Sequence, residues 1–312
     1  MKSALTLFAG VLLSFLPVSV WAHSPEAGTS WSQWDWRADV LAVLFLFGLA
    51  YTAGWLRLRI RSPRVVPWWQ LGLYLTGLGA IFLALVSPID ALAEESLSMH
   101  MVQHLLLIMI APLFLLLSNP LPASLWGLPK KLRTIVGRLL VKDSSFRRAL
   151  QFLTFIPVAW LVYVIDLWVW HHPLLYQAAL RDRLIHDVEH LLFFFTALLF
   201  WWPIANPAPR LHRSSSYGFR IGYLIAATLQ NTILGMVISL PDRVLYPFYS
   251  SLPLLRSLSP INDQALGGGI MWVNGHMYLV PILFLVARYR VHEEKLHGIL
   301  HSRLAGSKEW VR

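Results

Sequence analysis

Seven separate runs of about 20 mostly apolar residues constrain this chain more than any other feature. A helix of this length crosses the hydrocarbon core of a bilayer, because it rises about 1.5 Å per residue. The runs cover residues 38–56, 68–87, 98–117, 151–170, 184–204, 218–240 and 267–287. Only 13% of the residues are charged, whereas soluble domains average about 25%. The sequence therefore predicts an all-α fold: a polytopic membrane helix bundle with seven transmembrane spans.

The first 22 residues have the pattern of a secretory signal peptide. Lys2 supplies the positive charge, residues 4–20 form the apolar segment, and Ala22 completes the small-residue cleavage pattern. We expect cleavage before His23, although an uncleaved anchor has the same composition. The chain is then divided into a signal peptide at 1–22, an external N-terminal segment at 23–37, a seven-span membrane domain at 38–287 and a cytoplasmic tail at 288–312.

The distribution of positive charge predicts the orientation of the bundle. If the mature N-terminus is outside, 20 of the 26 Lys and Arg residues fall in inner connections or in the tail, and 5 fall outside. Cytoplasmic loops of membrane proteins are enriched in these residues, so the C-terminus is expected in the cytoplasm. The net charge of +10 then indicates contact with anionic membrane lipid, and nucleic-acid binding is not expected.

Two pairs of histidines, each spaced four residues apart, lie at the heads of predicted spans. His100 and His104 begin the third span, in SMHMVQHLLLIMIAPLFLLL, and His186 and His190 begin the fifth, in HDVEH. Residues i and i+4 share a helix face, so each pair projects to one side. Both pairs are predicted within roughly 10 Å of the outer ends of their spans, and His276 of the seventh span roughly 13 Å deep.

Five imidazoles at similar depth on three spans predict a transition-metal site in an outward-facing cavity, because imidazole suits copper and zinc. The competing interpretation is that each histidine only forms hydrogen bonds between helices. The same spacing also separates His297 and His301 in the predicted tail, where a solvated face is expected. The chain has no cysteine, so thiolate sites and disulfides are excluded.

Several neighbouring residues are candidates for secondary ligands or for contacts that orient the imidazoles. They are Met99, Met101, Glu189, Asp263 and, after cleavage, His23. Each also has an ordinary explanation, since methionine fills gaps in cores and acidic residues stand at helix starts. Asp166 lies five residues before His171 and His172 near the outer end of the fourth span, and it could join the site or face lipid headgroups.

The sequence HDVEH also matches H-x-x-E-H, the inverted zinc-protease signature. Such a site needs a further carboxylate ligand, but the glutamates after His190 are Glu293, Glu294 and Glu309, all in the predicted tail. The sequence also contains no nucleotide-binding loop and no G-x-S-x-G motif. We therefore predict that the protein is not an enzyme.

Three segments taken together resemble the CtaG-like family of cytochrome c oxidase assembly factors: SMHMVQHLLLIMIAPLFLLL, HDVEHLLFFFTALLFWWPI and DQALGGGIMWVNGHMYL. The resemblance extends from about residue 40 to about residue 290 and includes the order and spacing of the spans. It implies a multi-pass protein of the bacterial plasma membrane that supplies copper to a haem–copper oxidase. The residues that match these motifs are His100, His104, His186, His190, Asp263, Gln264, Gly267, Gly268 and His276.

The resemblance implies copper as the bound metal, expected as Cu(I). Haem is less expected, because two histidine pairs at one end of the bundle suit a small cation better than a macrocycle. The expected partners are an oxidase subunit, a periplasmic copper donor and membrane lipid, and self-association is left open. Two other functions use the same histidines. A copper transporter would need a polar path to the inner face, where Asn231 is one of few polar residues. A haem-binding electron carrier would need axial histidines on different spans.

Overall fold

The computed structural model describes residues 33–64, 66–213, 215–251 and 258–291. The predicted signal peptide, His23 and residues 292–312 of the predicted tail lie outside these ranges. Within them the chain is helical and contains no strand, and several helices are long and apolar enough to cross a membrane. The predicted all-α membrane fold is therefore confirmed.

The helices of the described residues are labelled in chain order. They are α1 Ala38–Arg61, α2 Trp68–Leu85, α3 Pro88–Glu95, α4 Leu97–Leu117, α5 Pro120–Gly127, α6 Lys130–Leu139, α7 Ser145–Leu153, α8 Ile156–Trp170, α9 Pro173–Arg181, α10 Arg183–Ala205, α11 Tyr217–Ser239 and α12 Pro260–Val291. Six of them, α1, α2, α4, α10, α11 and α12, can each cross a membrane, and α7 with α8 makes up to a seventh span.

The fourth span differs from its prediction. α7 and α8 form a bent pair with an angle of 69°, and α8 begins at Ile156 rather than at residue 151. Pro157 lies in the first turn of α8, where the missing N–H costs no helical hydrogen bond, so a helix start is favoured there. The 15 residues of α8 extend only about 22 Å. The basic helices α6 and α7 contain no buried residue.

The last span begins at Pro260, earlier than the predicted residue 267. Ser259 caps the helix by accepting a hydrogen bond from the Asn262 N–H at 3.3 Å, and proline occupies the first turn. The added turns bring Asp263 into the protein interior. His276 consequently lies roughly 24 Å from the helix start, much deeper than the predicted 13 Å.

Gly268 allows α12 to approach α11 closely. A Cβ atom at Gly268 would lie 2.6 Å from the backbone nitrogen of Ser239 and 2.7 Å from the carbonyl oxygen of Gly235. A Cβ atom at Gly269, in contrast, would meet nothing within 4 Å. The close backbone contact therefore depends on one glycine from each helix, Gly268 and Gly235.

α4 changes its helical pitch directly after the histidine pair. Its central segment Leu106–Ile110 is a π-helical turn between two α-helical parts. Pro112 has no N–H to donate to the Ile108 carbonyl, and Trp201 of α10 supplies the donor instead, with Nε1 3.0 Å from the Ile108 oxygen. This bond joins α4 and α10 next to the histidines.

A layer of aromatic side chains fills the core next to the hydrogen bond between Trp201 and Ile108, on the side away from the histidines. The hydroxyl groups of Tyr163 and Tyr278 are 2.6 Å apart, and Trp201 stacks on Tyr278 with ring centroids 5.5 Å apart. The Tyr223 hydroxyl donates to the Phe200 carbonyl at 2.9 Å. All five side chains are buried, so large aromatic groups separate the histidines from the opposite end of the bundle.

Candidate metal centre

α4 and α10 begin at the same end of the bundle, here called the histidine end. Asp263 of α12 holds the start of α4. Its carboxylate accepts hydrogen bonds from the Leu97 N–H at 2.7 Å, the Ser96 hydroxyl at 2.8 Å and the Ser98 hydroxyl at 2.6 Å. The first N–H groups of a helix have no partner within the helix, so these bonds fix where α4 begins. The carboxylate of Asp263 is thus used in positioning α4.

The histidine pairs each occupy one turn of their helix. His100 and His104 are fully buried, with ring centroids 4.3 Å apart. His186 and His190 lie on α10 with ring centroids 4.1 Å apart, and His186 is the more exposed of the two. The start of α10 is capped by Asp182, whose carboxylate accepts hydrogen bonds from two N–H groups of the first turn.

The two pairs meet between α4 and α10. The ring centroid of His100 is 5.1 Å from that of His186, and the centroids of His104 and His190 are 5.5 Å apart. His100, His104 and His190 each offer one ligand atom such that all three atoms lie within 4.8 Å of one another. His100, His186 and Glu189 form a second group of this kind. Four histidines and one carboxylate therefore surround one small volume, which we call the histidine cluster.

Most ligand atoms of the histidine cluster have no hydrogen-bond partner among the described residues. These buried atoms are Nε2 of His100, both ring nitrogens of His104, Nε2 of His186, Nε2 of His190 and both carboxylate oxygens of Glu189. A buried polar atom without a partner costs about 1–3 kcal/mol, so a cluster of them is costly unless something binds there. Imidazole suits copper and zinc, and a coordinated cation would satisfy several of these atoms together. The residues thus fit a transition metal.

Glu189 adds a negative group to this set. Its side chain is fully buried, and its Oε1 lies 3.9 Å from Nε2 of His104, beyond hydrogen-bond distance. A carboxylate in this place can balance the charge of a cation or orient an imidazole. Asp166 is engaged elsewhere, because the Thr196 hydroxyl donates to its Oδ2 at 2.8 Å.

Tyr249 orients the ring of His100. The Tyr249 hydroxyl donates to the Ala93 carbonyl at 3.2 Å, and its oxygen is then available to accept from Nδ1 of His100, also at 3.2 Å. We assign the His100 proton to Nδ1 on this basis, which leaves the lone pair on Nε2 for a metal. The Tyr176 hydroxyl lies 3.2 Å from that of Tyr249 and extends the network. Sequence reasoning missed these tyrosines, since no spacing pattern relates them to the histidines.

His171 is a further histidine beside the cluster, at the end of α8. Its Nδ1 donates to the Leu167 carbonyl at 2.7 Å, so the lone pair is on Nε2, which is buried and without a hydrogen-bond partner among the described residues. Its ring centroid is 5.6 Å from that of His104. Burial lowers the pKa of His171 to about 4, so the imidazole is neutral near pH 7, the form that binds metals. In the sequence, the adjacent pair His171-His172 at the end of a predicted span was the feature that could have marked His171 as a candidate ligand.

The remaining predicted residues that the structure describes lie outside the cluster. His276 is exposed, and its Nδ1 is 3.0 Å from the Trp272 carbonyl of the same helix. The reason is the early start of α12, which places this histidine deeper than the two pairs. Met101 is buried in the hydrophobic core, and Met99 is partly buried. His23 lies outside the described residues.

An ion-pair group borders the cluster at the start of α1. Arg37 donates from Nη1 to Asp187 at 2.5 Å and from Nη2 to Asp39 at 2.8 Å. Asp187 lies directly after His186 on α10, so these contacts fasten α1 beside the histidines. The start of α1 is therefore also at the histidine end.

A lateral groove leads from this ion-pair group along the bundle. It has a volume of about 490 Å³ and reaches Asp187 and His190. The rest of its lining is mainly apolar and comes from several helices, with Phe47 on α1, Leu78 on α2 and Leu191 on α10. The groove therefore runs from one edge of the histidine cluster along a mainly apolar lining.

Comparison with known proteins identifies the family. Residues 49–292 match the family described as cytochrome c oxidase caa3 assembly factor. Uncharacterized proteins of Mycobacterium bovis and Mycobacterium tuberculosis are each 30% identical to this chain in an alignment of 284 residues, and the alignment covers 87% of the chain and 42% of the relative. An uncharacterized protein of Mycobacterium leprae is 25% identical in an alignment of 279 residues, and this alignment covers 84% of this chain and 40% of the relative.

The chain thus spans about two-fifths of the length of these curated relatives. No solved structure matches it. The family match covers most of the chain and contains all four residues of the two histidine pairs. The chain therefore belongs to the cytochrome c oxidase caa3 assembly factor family.

Proposed function

We propose that this protein binds copper at the histidine cluster and delivers it to the catalytic subunit of a haem–copper oxidase during assembly. The observation that carries the proposal is the convergence of His100, His104 and His190, which each offer one ligand nitrogen within 4.8 Å of the others. The buried Nε2 atom of each has no hydrogen-bond partner among the described residues. The family acts in the assembly of cytochrome c oxidase. Copper, which a haem–copper oxidase needs, is therefore the metal that we expect the histidine cluster to bind.

The charge of the cluster favours Cu(I) over a divalent cation. Neutral imidazoles contribute no negative charge, and Glu189 is the carboxylate among the converging ligand groups of the described residues. One carboxylate balances a monovalent cation, whereas a divalent cation would leave an uncompensated buried charge, which is costly in a low-dielectric interior. Imidazole ligands without thiolate also permit release, which a delivery protein requires.

The position of the cluster suggests how cargo enters and leaves. His186 is partly exposed at the histidine end, which the charge distribution predicts to face outside, so a periplasmic copper donor would load the site there. His190 borders the mainly apolar lateral groove. We propose that the oxidase subunit approaches from this side, within the membrane.

The alternative functions have less support. A copper transporter would need a polar route beyond the cluster, and the described residues place the aromatic layer of Tyr163, Trp201 and Tyr278 there. A haem carrier needs two axial ligands on opposite faces of a macrocycle. Three or four donor groups around one point suit a small cation better. A chaperone also needs no nucleophile, in keeping with a protein that is not an enzyme.

Copper content of the purified protein tests the proposal. We expect about one copper per wild-type chain after copper loading and dialysis in detergent, and at least about a tenfold loss in His104→Ala and His190→Ala. The measurement is metal analysis by mass spectrometry, with an optical spectrum to detect haem. Cytochrome c oxidase activity of cells carrying each variant should fall in parallel.

His276→Ala is the matched control, because His276 is exposed and lies outside the cluster. It should retain wild-type copper and wild-type oxidase activity. Equal copper in His104→Ala, His190→Ala and the wild type would rule out the cluster as the binding site. A haem spectrum that the same variants abolish would favour the electron carrier, and copper uptake into sealed vesicles would favour the transporter.

Filling the groove separates copper binding from delivery. Leu191 lines the groove, and a larger Leu191→Trp side chain should block the approach of a partner there. We expect bound copper to stay at the wild-type level while cellular oxidase activity falls. Leu192→Trp is the control, since Leu192 is exposed on the same helix outside the groove lining. Equal oxidase activity in both variants would contradict lateral delivery.

A further inference from the structure

A second candidate site lies at the opposite end of the bundle from the histidine cluster. α1 begins at the histidine end and extends for 24 residues, about 36 Å, so its last turns are at the other end. There Arg57 and Arg61 of α1, Trp126 of α5 and Arg133 of α6 line an open pocket of about 530 Å³. We call it the arginine pocket.

Trp126 holds two of the arginines in place. The guanidinium carbon of Arg61 is 5.2 Å from the centroid of the Trp126 ring, and that of Arg133 is 5.1 Å from it. Both are cation–π contacts, and they bring two positive groups to one aromatic ring. Arg57 donates from Nη1 to the Trp126 carbonyl at 2.8 Å and to the Gly127 carbonyl at 3.3 Å, which satisfies the end of α5.

No carboxylate balances this positive charge in the described residues. The salt bridges there involve Arg37, His104 and Arg183, and none involves the arginine pocket. Segments 57–64 and 118–155 at this end contain a single acidic residue, Asp143. Their basic residues are Arg57, Arg59, Arg61, Arg64, Lys130, Lys131, Arg133, Arg138, Lys142, Arg147 and Arg148. The described residues thus leave the like charges of the pocket without a carboxylate partner, so the pocket is suited to an anionic ligand.

We propose that the arginine pocket binds the phosphate headgroup of an anionic phospholipid of the phosphatidylglycerol type. Guanidinium groups bind phosphate oxygens in a bidentate manner, and Trp126 is the kind of residue that occupies the membrane boundary. Ile60 adds apolar lining for the glycerol end of the acyl chains. Basic pockets between membrane helices bind anionic headgroups on the cytoplasmic side, where the charge rule places this end.

Lipid retention by the full-length protein tests this proposal. The protein would be reconstituted in nanodiscs of phosphatidylcholine with one-fifth phosphatidylglycerol, extracted in mild detergent and analysed for bound lipid by mass spectrometry. We expect Arg61→Gln and Arg133→Gln each to reduce bound phosphatidylglycerol about fivefold relative to phosphatidylcholine. Arg138→Gln is the matched control, since Arg138 lies on α6 outside the pocket, and it should retain the wild-type ratio.

Two further measurements use the wild type and do not depend on the folding of a variant. Raising sodium chloride from 50 to 500 mM during extraction should release the bound phosphatidylglycerol, because salt screens the contact. Millimolar inorganic phosphate at constant ionic strength should release little of the bound phosphatidylglycerol. Equal loss from Arg138→Gln, retention that salt leaves unchanged, or complete displacement by inorganic phosphate would each overturn the assignment to a lipid headgroup.

Discussion

At the scale of the residue, His171 illustrates how one hydrogen bond determines which ring nitrogen has a lone pair available for a metal. The Leu167 carbonyl can only accept, so Nδ1 of His171 carries the proton and Nε2 carries the lone pair. Nε2 is buried and has no hydrogen-bond partner among the described residues. The His171 ring lies beside that of His104. His171 is therefore suited to join the metal or to hold the ring of His104 in place.

His171→Ala should weaken Cu(I) binding by about tenfold, as expected for a ligand or an adjacent orienting group. Competition with a colourimetric Cu(I) chelator would measure the affinity in detergent. His172→Ala serves as the control, because His172 follows directly in the chain but is exposed. Unchanged affinity in His171→Ala, or the same loss in both variants, would exclude this role.

At the scale of the element, the π-helical turn of α4 depends on a donor from another helix. The Ile108 carbonyl has no N–H from Pro112, and Trp201 Nε1 pairs with it instead. Trp202 follows in the chain, and its Nε1 has no hydrogen-bond partner among the described residues. The two tryptophans thus form a natural comparison.

Trp201→Phe should lower the stability of the protein by about 1–3 kcal/mol, because it leaves a buried carbonyl unpaired. Trp202→Phe removes an N–H that forms no such bond and should have a much smaller effect. Thermal unfolding in detergent, followed by circular dichroism, compares the two variants. A larger loss in Trp202→Phe would mean that the Trp201 bond does not support the π-helical turn.

The contact between α11 and α12 gives a second comparison at this scale. A Cβ atom at Gly268 would clash with the backbone of α11, whereas one at Gly269 would meet nothing. Gly268→Ala should therefore destabilise the protein by about 1–3 kcal/mol or more. Gly269→Ala should be near neutral in the same unfolding assay. Similar stability of the two variants would show that the helices can separate without cost.

At the scale of the whole molecule, the two ends of the bundle differ in chemistry. One end holds the histidine cluster and its acidic neighbours, and the other holds the arginine pocket and the basic helices α6 and α7. The positive-inside rule assigns the basic end to the cytoplasm. The histidine cluster is then expected to face the periplasmic side.

Cysteine labelling tests this orientation directly, because the chain contains no cysteine of its own. Leu174→Cys replaces an exposed residue of α9 at the histidine end, and Lys142→Cys replaces an exposed residue in the connection between α6 and α7. In spheroplasts, a membrane-impermeant maleimide should label Leu174→Cys, and it should label Lys142→Cys only after permeabilisation. The reverse labelling pattern would show the opposite orientation.

The sequence by itself determined the class of fold and two walls of the candidate site. Apolar length requires helices in a bilayer, because backbone groups there must be paired within the chain. The spacing of four residues places His100 above His104, and His186 above His190, on single helix faces.

Tertiary structure decided which helix faces meet and at what depth. The periodicity of α12 could not reveal that Ser259 and Pro260 start it early, and this start moves His276 away from the cluster. His171 and Tyr249 approach the site from a helix end and a short connecting segment, where no repeat pattern exists. Helical spacing relates residues within one helix, whereas a site between helices also depends on how each helix is capped, rotated and packed.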